Sequence, residues 1–201
     1  MEELRTGYDL VVESVAHGSK ILDLGCGDGE LLLRLQEEKK VKGFGVEISE
    51  EGVSLCMEKG LYCYQADIDE GLSDYKNDSF DVVILSQTIQ NTKGPDYVIK
   101  EVLRIGRQAI VTFPNFGYYR NRFYLLVRGK MPVSKHLPYQ WYESPNIHLM
   151  TIHDMRNMAD HVGFEIIQEK NFSVRNDSSS IVKTFMPNFF AQYGFFIIKR
   201  K

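Results

Sequence analysis

The chain has 201 residues, a usual length for one domain and enough to bury a substantial core. Hydrophobic residues make up 43% and charged residues 25%, the balance of an ordinary globular protein, and a net charge of −3 offers no bulk attraction to nucleic acid. No apolar run approaches the roughly 18 residues of a membrane span, and Met1-Glu-Glu-Leu-Arg5 lacks the basic start and apolar centre of a signal peptide, so a cytoplasmic protein is expected.

Strand-like and helix-like segments alternate through the first half. Candidate strands are Lys20–Leu24, Gly43–Glu47, Leu61–Gln65, the β-branched run Phe80–Leu85, and Gln108–Phe113. Between them lie helix-sized segments at Glu30–Glu38, Ser49–Lys59 and Asp96–Ile105. Ser49 and Asp96 stand at their starts, and Gly60 and Gly106 where C-caps would fall. Pro114 to Met150 is rich in aromatics, Arg, Asn and Pro and has no sustained period, apart from a short amphipathic stretch at Phe123–Val127. Thr151-Ile-His-Asp154 resembles a capping box before a helix over Met155–His161, with Gly163 as its stop. Phe164–Gln168 and Tyr193–Lys199 read as sixth and seventh strands, and Asn171–Ser180 as a loop. Alternating strands and helices imply a doubly wound, mostly parallel α/β sheet in a single domain spanning residues 1–201.

The chemistry concentrates after the first strand, in Asp23-Leu-Gly25-Cys26-Gly27-Asp-Gly29. Glycines there permit positive φ and let backbone N–H groups close on a ligand at a helix N-terminus. A dinucleotide fingerprint, G-x-G-x-x-G, needs glycine at position 30, where Glu30 stands, and a carboxylate at Asp23 would repel pyrophosphate. The pattern suits a nucleoside carrying positive charge. Glu47 ends the second strand, where a carboxylate can accept from both ribose hydroxyls. Ile48 beside it could pack on an adenine face or belong to the core. Asp67, followed by Ile68, is the candidate acid after the third strand, with Asp69 and Glu70 near enough to compete. Ser86-Gln87-Thr88 ends the fourth strand at the border of the crevice where open α/β sheets bind ligands; it either touches the ligand or simply makes a polar turn. Among five histidines only His148, in Asn146-Ile-His148, is a site candidate. Cys26, Cys56 and Cys63 are odd in number and lack C-x-x-C spacing, which argues against a disulfide framework or zinc site, and no metal is expected.

The glycine run with Asp23 resembles motif I of class I S-adenosylmethionine-dependent methyltransferases. With Phe113-Pro-Asn115-Phe-Gly117, Arg128-Gly-Lys-Met-Pro132 and Leu137-Pro-Tyr139-x-Trp141-Tyr142-x-x-Pro-Asn-Ile-His148-Leu149, the chain from about Gly18 onward resembles the MetW family of methionine biosynthesis proteins. That resemblance implies a seven-stranded Rossmann-like class I methyltransferase fold whose last strand is antiparallel. It implies S-adenosylmethionine or S-adenosylhomocysteine as ligand, held at Asp23, Gly25, Cys26, Gly27, Gly29, Glu47, Ile48, Asp67, Ile68 and Ser86. The substrate-side candidates are Gln87, Asn115, Tyr139, Trp141, Tyr142 and His148, and residues 114–150 form an aromatic-rich cap or lid. The implied partner is homoserine O-acetyltransferase, with a homodimer open as well. Leu103-Arg-Ile-Gly106 departs from the Lys-Pro-Gly-Gly common before the fifth strand of methyltransferases, and no catalytic group stands out. Two functions stay open: support or regulation of the acetyltransferase, and methyl transfer to a small molecule.

Overall fold

The computed structural model describes residues 7–134, 136–174 and 180–201. Among them one mixed sheet runs through the chain. Strands β1 (Lys20–Leu24), β2 (Lys42–Glu47), β3 (Tyr62–Gln65), β4 (Phe80–Ser86) and β5 (Gly106–Pro114) pair in parallel. The final strand β9 (Tyr193–Arg200) runs antiparallel to β5 and carries β6 (Phe164–Glu169) and β7 (Phe172–Val174) on its other edge. The order is β3-β2-β1-β4-β5-β9-β7-β8, with β8 (Ser180–Val182) outermost and β6 paired to β9.

Successive residues of the central strands point to opposite faces, so each β-branched run feeds two cores. Leu22, Val83, Leu85, Val111 and Phe113 face one cluster, while Ile21, Ile84 and Ile110 face the other. Helices α1 (Tyr8–Ser14) and α2 (Glu30–Lys39) cover the second cluster. The first is covered by α4 (Pro95–Ile105) and α6 (Ile152–Val162); α4 buries Val98, Ile99, Val102 and Leu103 as one helical stripe. Helix α3 (Glu50–Glu58) links β2 to β3.

Several boundaries follow directly from local chemistry. Ser49 accepts the Gly52 N–H at the start of α3, and Thr151 and Asp154 form the reciprocal capping box of α6, which ends at Gly163 in the left-handed region (φ 86°). Gly106 is the C-cap of α4, as expected, its N–H donating to the Val102 carbonyl, but it is extended (φ −110°) and opens β5. A Cβ there would come within 2.6 Å of Val83 Cγ2, so the position is small for packing and not for a turn.

Nine strands are present among the described residues where seven were expected. The sixth stops at Glu169 and resumes as β7, because Asn171 interrupts the ladder with its own amide: Oδ1 accepts the Phe195 N–H at 3.2 Å and Nδ2 donates to Glu169. Of the expected loop Asn171–Ser180, Phe172–Val174 is strand β7, which pairs antiparallel with β8, and residues 175–179 lie outside the described residues. The short amphipathic stretch at Phe123–Val127 extends to a ten-residue helix, α5 (Tyr119–Arg128). A further short helix, α7 (Pro187–Phe190), precedes β9.

Candidate functional site

The carboxyl ends of β1, β2, β3 and β4 surround a cavity of about 490 Å3, within the roughly 300–1,000 Å3 usual for small-molecule sites. Its floor is the turn between β1 and α2. The Gly25 and Cys26 N–H groups donate to the Val46 carbonyl at 2.7 and 3.1 Å, which pins the turn to β2. Gly25 sits at φ 72°, and a Cβ there would meet the Thr88 side chain at 2.6 Å, so only glycine lets the turn approach the end of β4. Gly27, at φ 56°, has open space where its Cβ would lie and lines the cavity.

Two acids hold this architecture. Glu47 Oε2 accepts the Gly27 N–H and Oε1 the Ser49 N–H, each at 2.9 Å, and each oxygen keeps a lone pair for another donor. Asp23 lies beneath the turn, 1% exposed, with Oδ1 buried and without a partner. Burial, then the charge of Glu47, pushes its carboxyl up to about 7. An orphaned buried carboxyl oxygen beside a second acid invites positive charge.

The two candidate acids after β3 separate by what they already hold. Both carboxylate oxygens of Asp69 accept backbone N–H groups, from Lys93 at 2.9 and 3.1 Å and from Gly94 at 3.2 Å. Asp67 accepts one, from Asp69, and faces Lys93 Nζ at 3.6 Å. Both line the cavity, while Glu70 is not among its lining residues. Ile48, 63% exposed, and Ile68 supply apolar wall, and Ser86 and Gln87 close the β4 side. Gln87 adopts φ 56°, a left-handed conformation held by its N–H bonding to Thr112 O at 2.9 Å and by Gln90 Nε2 donating to its carbonyl at 2.6 Å. That strained backbone at the cavity rim is invisible in the sequence. Sequence reasoning also missed Tyr8, Asn91 and Lys93, which line the cavity; only the Gly94-Pro95 turn after Lys93 gave a local signal.

The residues expected on the substrate side divide. Gln87 lines the cavity. His148 does not line it: the Ile147 and His148 N–H groups both donate to the Gln90 carbonyl at 3.0 Å, and the buried His148 Nε2 has no partner. Asn115 is fully buried elsewhere, donating to Ala191 O at 2.8 Å and accepting the Gly117 N–H at 2.9 Å, so it joins the end of β5 to α7. Tyr139, Trp141 and Tyr142 are exposed and do not line the cavity; just before them Ser134 and Leu137 form an antiparallel bridge, and Leu137 is buried. Asp23 and Gly29 support the turn from behind without lining the cavity.

The cysteines, distant in sequence, meet in the fold. Cys26 Sγ lies 3.8 Å from Cys56 Sγ and 3.5 Å from Cys63 Sγ, and burial pushes the Cys56 thiol up to about 12 and the Cys26 thiol further.

A sequence profile described as methionine biosynthesis protein MetW matches residues 5–198. The chain belongs to the MetW family. It is 31% identical over 175 residues to the bifunctional methionine biosynthesis protein MetXA/MetW of Rhodopirellula baltica, an alignment covering 83% of this chain and 28% of that protein. Across the curated relatives it matches, the chain spans between 28% and 39% of their length. Its fold is similar to S-adenosylmethionine-dependent methyltransferases from Archaeoglobus fulgidus (TM-score 0.68, 15% identity, 99% and 97% of the two chains) and Mesorhizobium loti (TM-score 0.69, 16% identity, 95% of each). At these identities the likeness concerns architecture: this MetW protein has the class I methyltransferase fold. Among the described residues, no helix is long and apolar enough to cross a membrane.

Proposed function

We propose that this MetW protein binds S-adenosylmethionine or S-adenosylhomocysteine in the cavity at the ends of β1–β4 and, in that state, supports or regulates homoserine O-acetyltransferase. The residues suit the ligand. Glu47 would take the ribose hydroxyls, Asp67 with Ile48 and Ile68 the adenine, and the Gly25–Gly27 turn with Asp23 behind it the cationic amino-acid end. Bound adenosylmethionine supplies an activated methyl group and also reports the level of the pathway's downstream product.

The observation that carries the regulatory reading is where the aromatic and apolar side chains go. Phe123, Tyr124, Leu125, Leu126 and Val127 on α5 are five consecutive exposed apolar residues, with Leu126 79% and Val127 74% exposed. Trp141, Tyr142, Ile147 and Leu149 extend the exposure beyond the helix. Five consecutive residues point all round a helix, so α5 stands uncovered with apolar side chains on every side, and such exposure marks a surface that another protein covers, not an acceptor pocket. The R. baltica relative, which unites MetXA and MetW in one protein, supports the acetyltransferase as occupant. Co-purification of the two proteins, and acetylation rates with and without this chain and adenosylmethionine, test the reading. A complex and a rate change that depends on the ligand are expected; neither at micromolar concentrations would end it.

A second reading, methyl transfer to a small molecule, is favoured by one feature. The His148 Nε2 is buried and unpartnered, and the His148 backbone is tethered to Gln90, whose side chain in turn holds cavity-lining Gln87. Incubation with labelled methyl donor and metabolite extract distinguishes the two: a labelled product supports turnover, and none despite demonstrated donor binding leaves the regulatory role.

A further inference from the structure

The three cysteines stand on three different pieces of the cavity's supporting structure: Cys26 in the glycine turn, Cys56 in α3 and Cys63 on β3. All three sulfurs lie within 4.8 Å of one another, and all are free thiols. Two glycines make the room. A Cβ on Gly45 would come within 2.6 Å of Cys26 Sγ and 3.3 Å of Cys63 Sγ, and one on Gly29 within 2.8 Å of Cys56 Sγ. Gly45 is the β2 residue paired with Asp23 on one side and Cys63 on the other, so any larger residue there would push the thiols apart.

The spacing has a chemical meaning. The Cys26–Cys56 and Cys26–Cys63 separations, 3.8 and 3.5 Å, are close to the roughly 3.8 Å between two sulfurs of a tetrahedral site whose zinc–thiolate bonds measure about 2.3 Å. A donor set of sulfur alone selects soft, closed-shell ions over magnesium or calcium. The surroundings point the same way. The buried Asp23 carboxyl, with its unpartnered Oδ1, lies near enough to Cys26 to act on it electrostatically, and the Gly27 carbonyl oxygen lies 3.4 Å from Cys56 Sγ as a further oxygen donor nearby.

We propose that Cys26, Cys56 and Cys63 form a thiolate site for one thiophilic d10 cation of the zinc class, behind the ligand-binding turn. Binding breaks three S–H bonds, releases the protons to solvent and forms three sulfur–metal bonds; no electron is transferred. The ion ties the turn, α3 and β3 together at the one place where Cys26 also borders the cavity. This site stands independently of what the cavity binds and of any partner.

The test uses the full chain, reduced and stripped with chelator, titrated with Cd2+ as a spectroscopic stand-in and then with Zn2+. Expected are a thiolate-to-metal charge-transfer band that saturates at one equivalent, its displacement by Zn2+, and loss of alkylation at Cys63, the most accessible of the three thiols. Cys63→Val, compatible with a strand, should lower the affinity by about a hundredfold or more, the order at which even supporting shells matter. Should that variant unfold, protection of the wild-type thiols by stoichiometric Zn2+ remains the deciding measurement. The proposal is overturned by the absence of a band and of thiol protection at one equivalent, by equal affinity in folded Cys63→Val, or by a mass loss of two hydrogens showing a disulfide in place of metal uptake.

Discussion

At the scale of single residues, Asp23 and His136 make opposite demands on pH. Asp23 holds its proton to about 7 in the fold against 3.8 in the free side chain, so between those values the native state carries more protons than the unfolded chain. Its contribution to stability therefore falls as pH rises, by about 4 kcal/mol once pH exceeds 7. His136 is buried against Tyr118 and Tyr193, with Asn121 Nδ2 3.2 Å from its Nε2 and Ser134 Oγ 3.0 Å from its Nδ1. Burial, then the positive charge of Arg120, pushes it down to about 4 from 6.5. Here the unfolded chain carries the extra proton, so stability rises with pH across that window, by about 3 kcal/mol. The two slopes largely offset each other in the wild type. Asp23→Asn should leave stability rising steeply between pH 4 and 6.5, and His136→Phe should leave it falling between pH 4 and 7. Urea unfolding at pH 4.5, 6 and 8, with chelator present, measures both, and parallel profiles for all three proteins would contradict this assignment. Glu47 poses a separate question, because its carboxylate braces the turn and faces the ribose position. Glu47→Ala should weaken adenosylmethionine by roughly 10- to 100-fold, the loss of one or two charge-assisted hydrogen bonds. Glu47→Gln, which keeps one acceptor oxygen, should fall between by calorimetry.

At the scale of elements, what was legible depended on whether local sequence and tertiary packing agree. The five parallel strands were readable to within two residues at either end, because each is a short apolar run closed by a turn residue or an acid. α6 was readable from its capping box, and Thr151→Ala should cost about 1 kcal/mol in chemical unfolding while leaving ligand affinity unchanged. β7 and β8 were not readable. Their three-residue pairings draw stability from β9 and from the Asn171 side chain, neither of which leaves a local pattern. α5 was visible as a short amphipathic stretch, but nothing in that stretch showed that only Asn121 of its ten residues is buried. A helix that turns its apolar residues outward is stable here through Arg128 in its last turn, the left-handed Gly129 after it and its junction with β5, not through a buried stripe. Leu126→Asp and Val127→Asp should therefore leave the melting temperature and adenosylmethionine binding of the isolated chain unchanged, and remove association with homoserine O-acetyltransferase in a pull-down. Retained association in the double variant would mean that the partner seats elsewhere.

At the scale of the whole molecule, the sheet order gathers onto one edge the residues that the sequence spreads from Tyr8 to Lys93. Asp23, Glu47, Asp67 and Ser86 could be picked out because each lies at or just beyond the carboxyl end of a strand, and parallel strands leave all those ends on the same side. Tyr8, Lys93 and the convergence of the cysteines could not, because they depend on which loops and helices lie over that edge. A ligand seated there touches pieces contributed by α1, the turn after β1, β2, α3 and the loops after β3 and β4, so it binds only the assembled fold and must stabilise it by mass action. Adenosylmethionine at about 100 times its dissociation constant should add roughly 2.7 kcal/mol. For a chain of this length that is a rise in melting temperature of about 5–10 °C. With Glu47→Ala weakened about 100-fold, the same concentration only matches the dissociation constant, and the gain shrinks to about 0.4 kcal/mol, a shift of less than about 2 °C. Differential scanning fluorimetry of both proteins at one ligand concentration reads the difference. Equal shifts would remove Glu47 from the ribose position, and no shift in either, up to millimolar ligand, would remove adenosylmethionine from the cavity altogether.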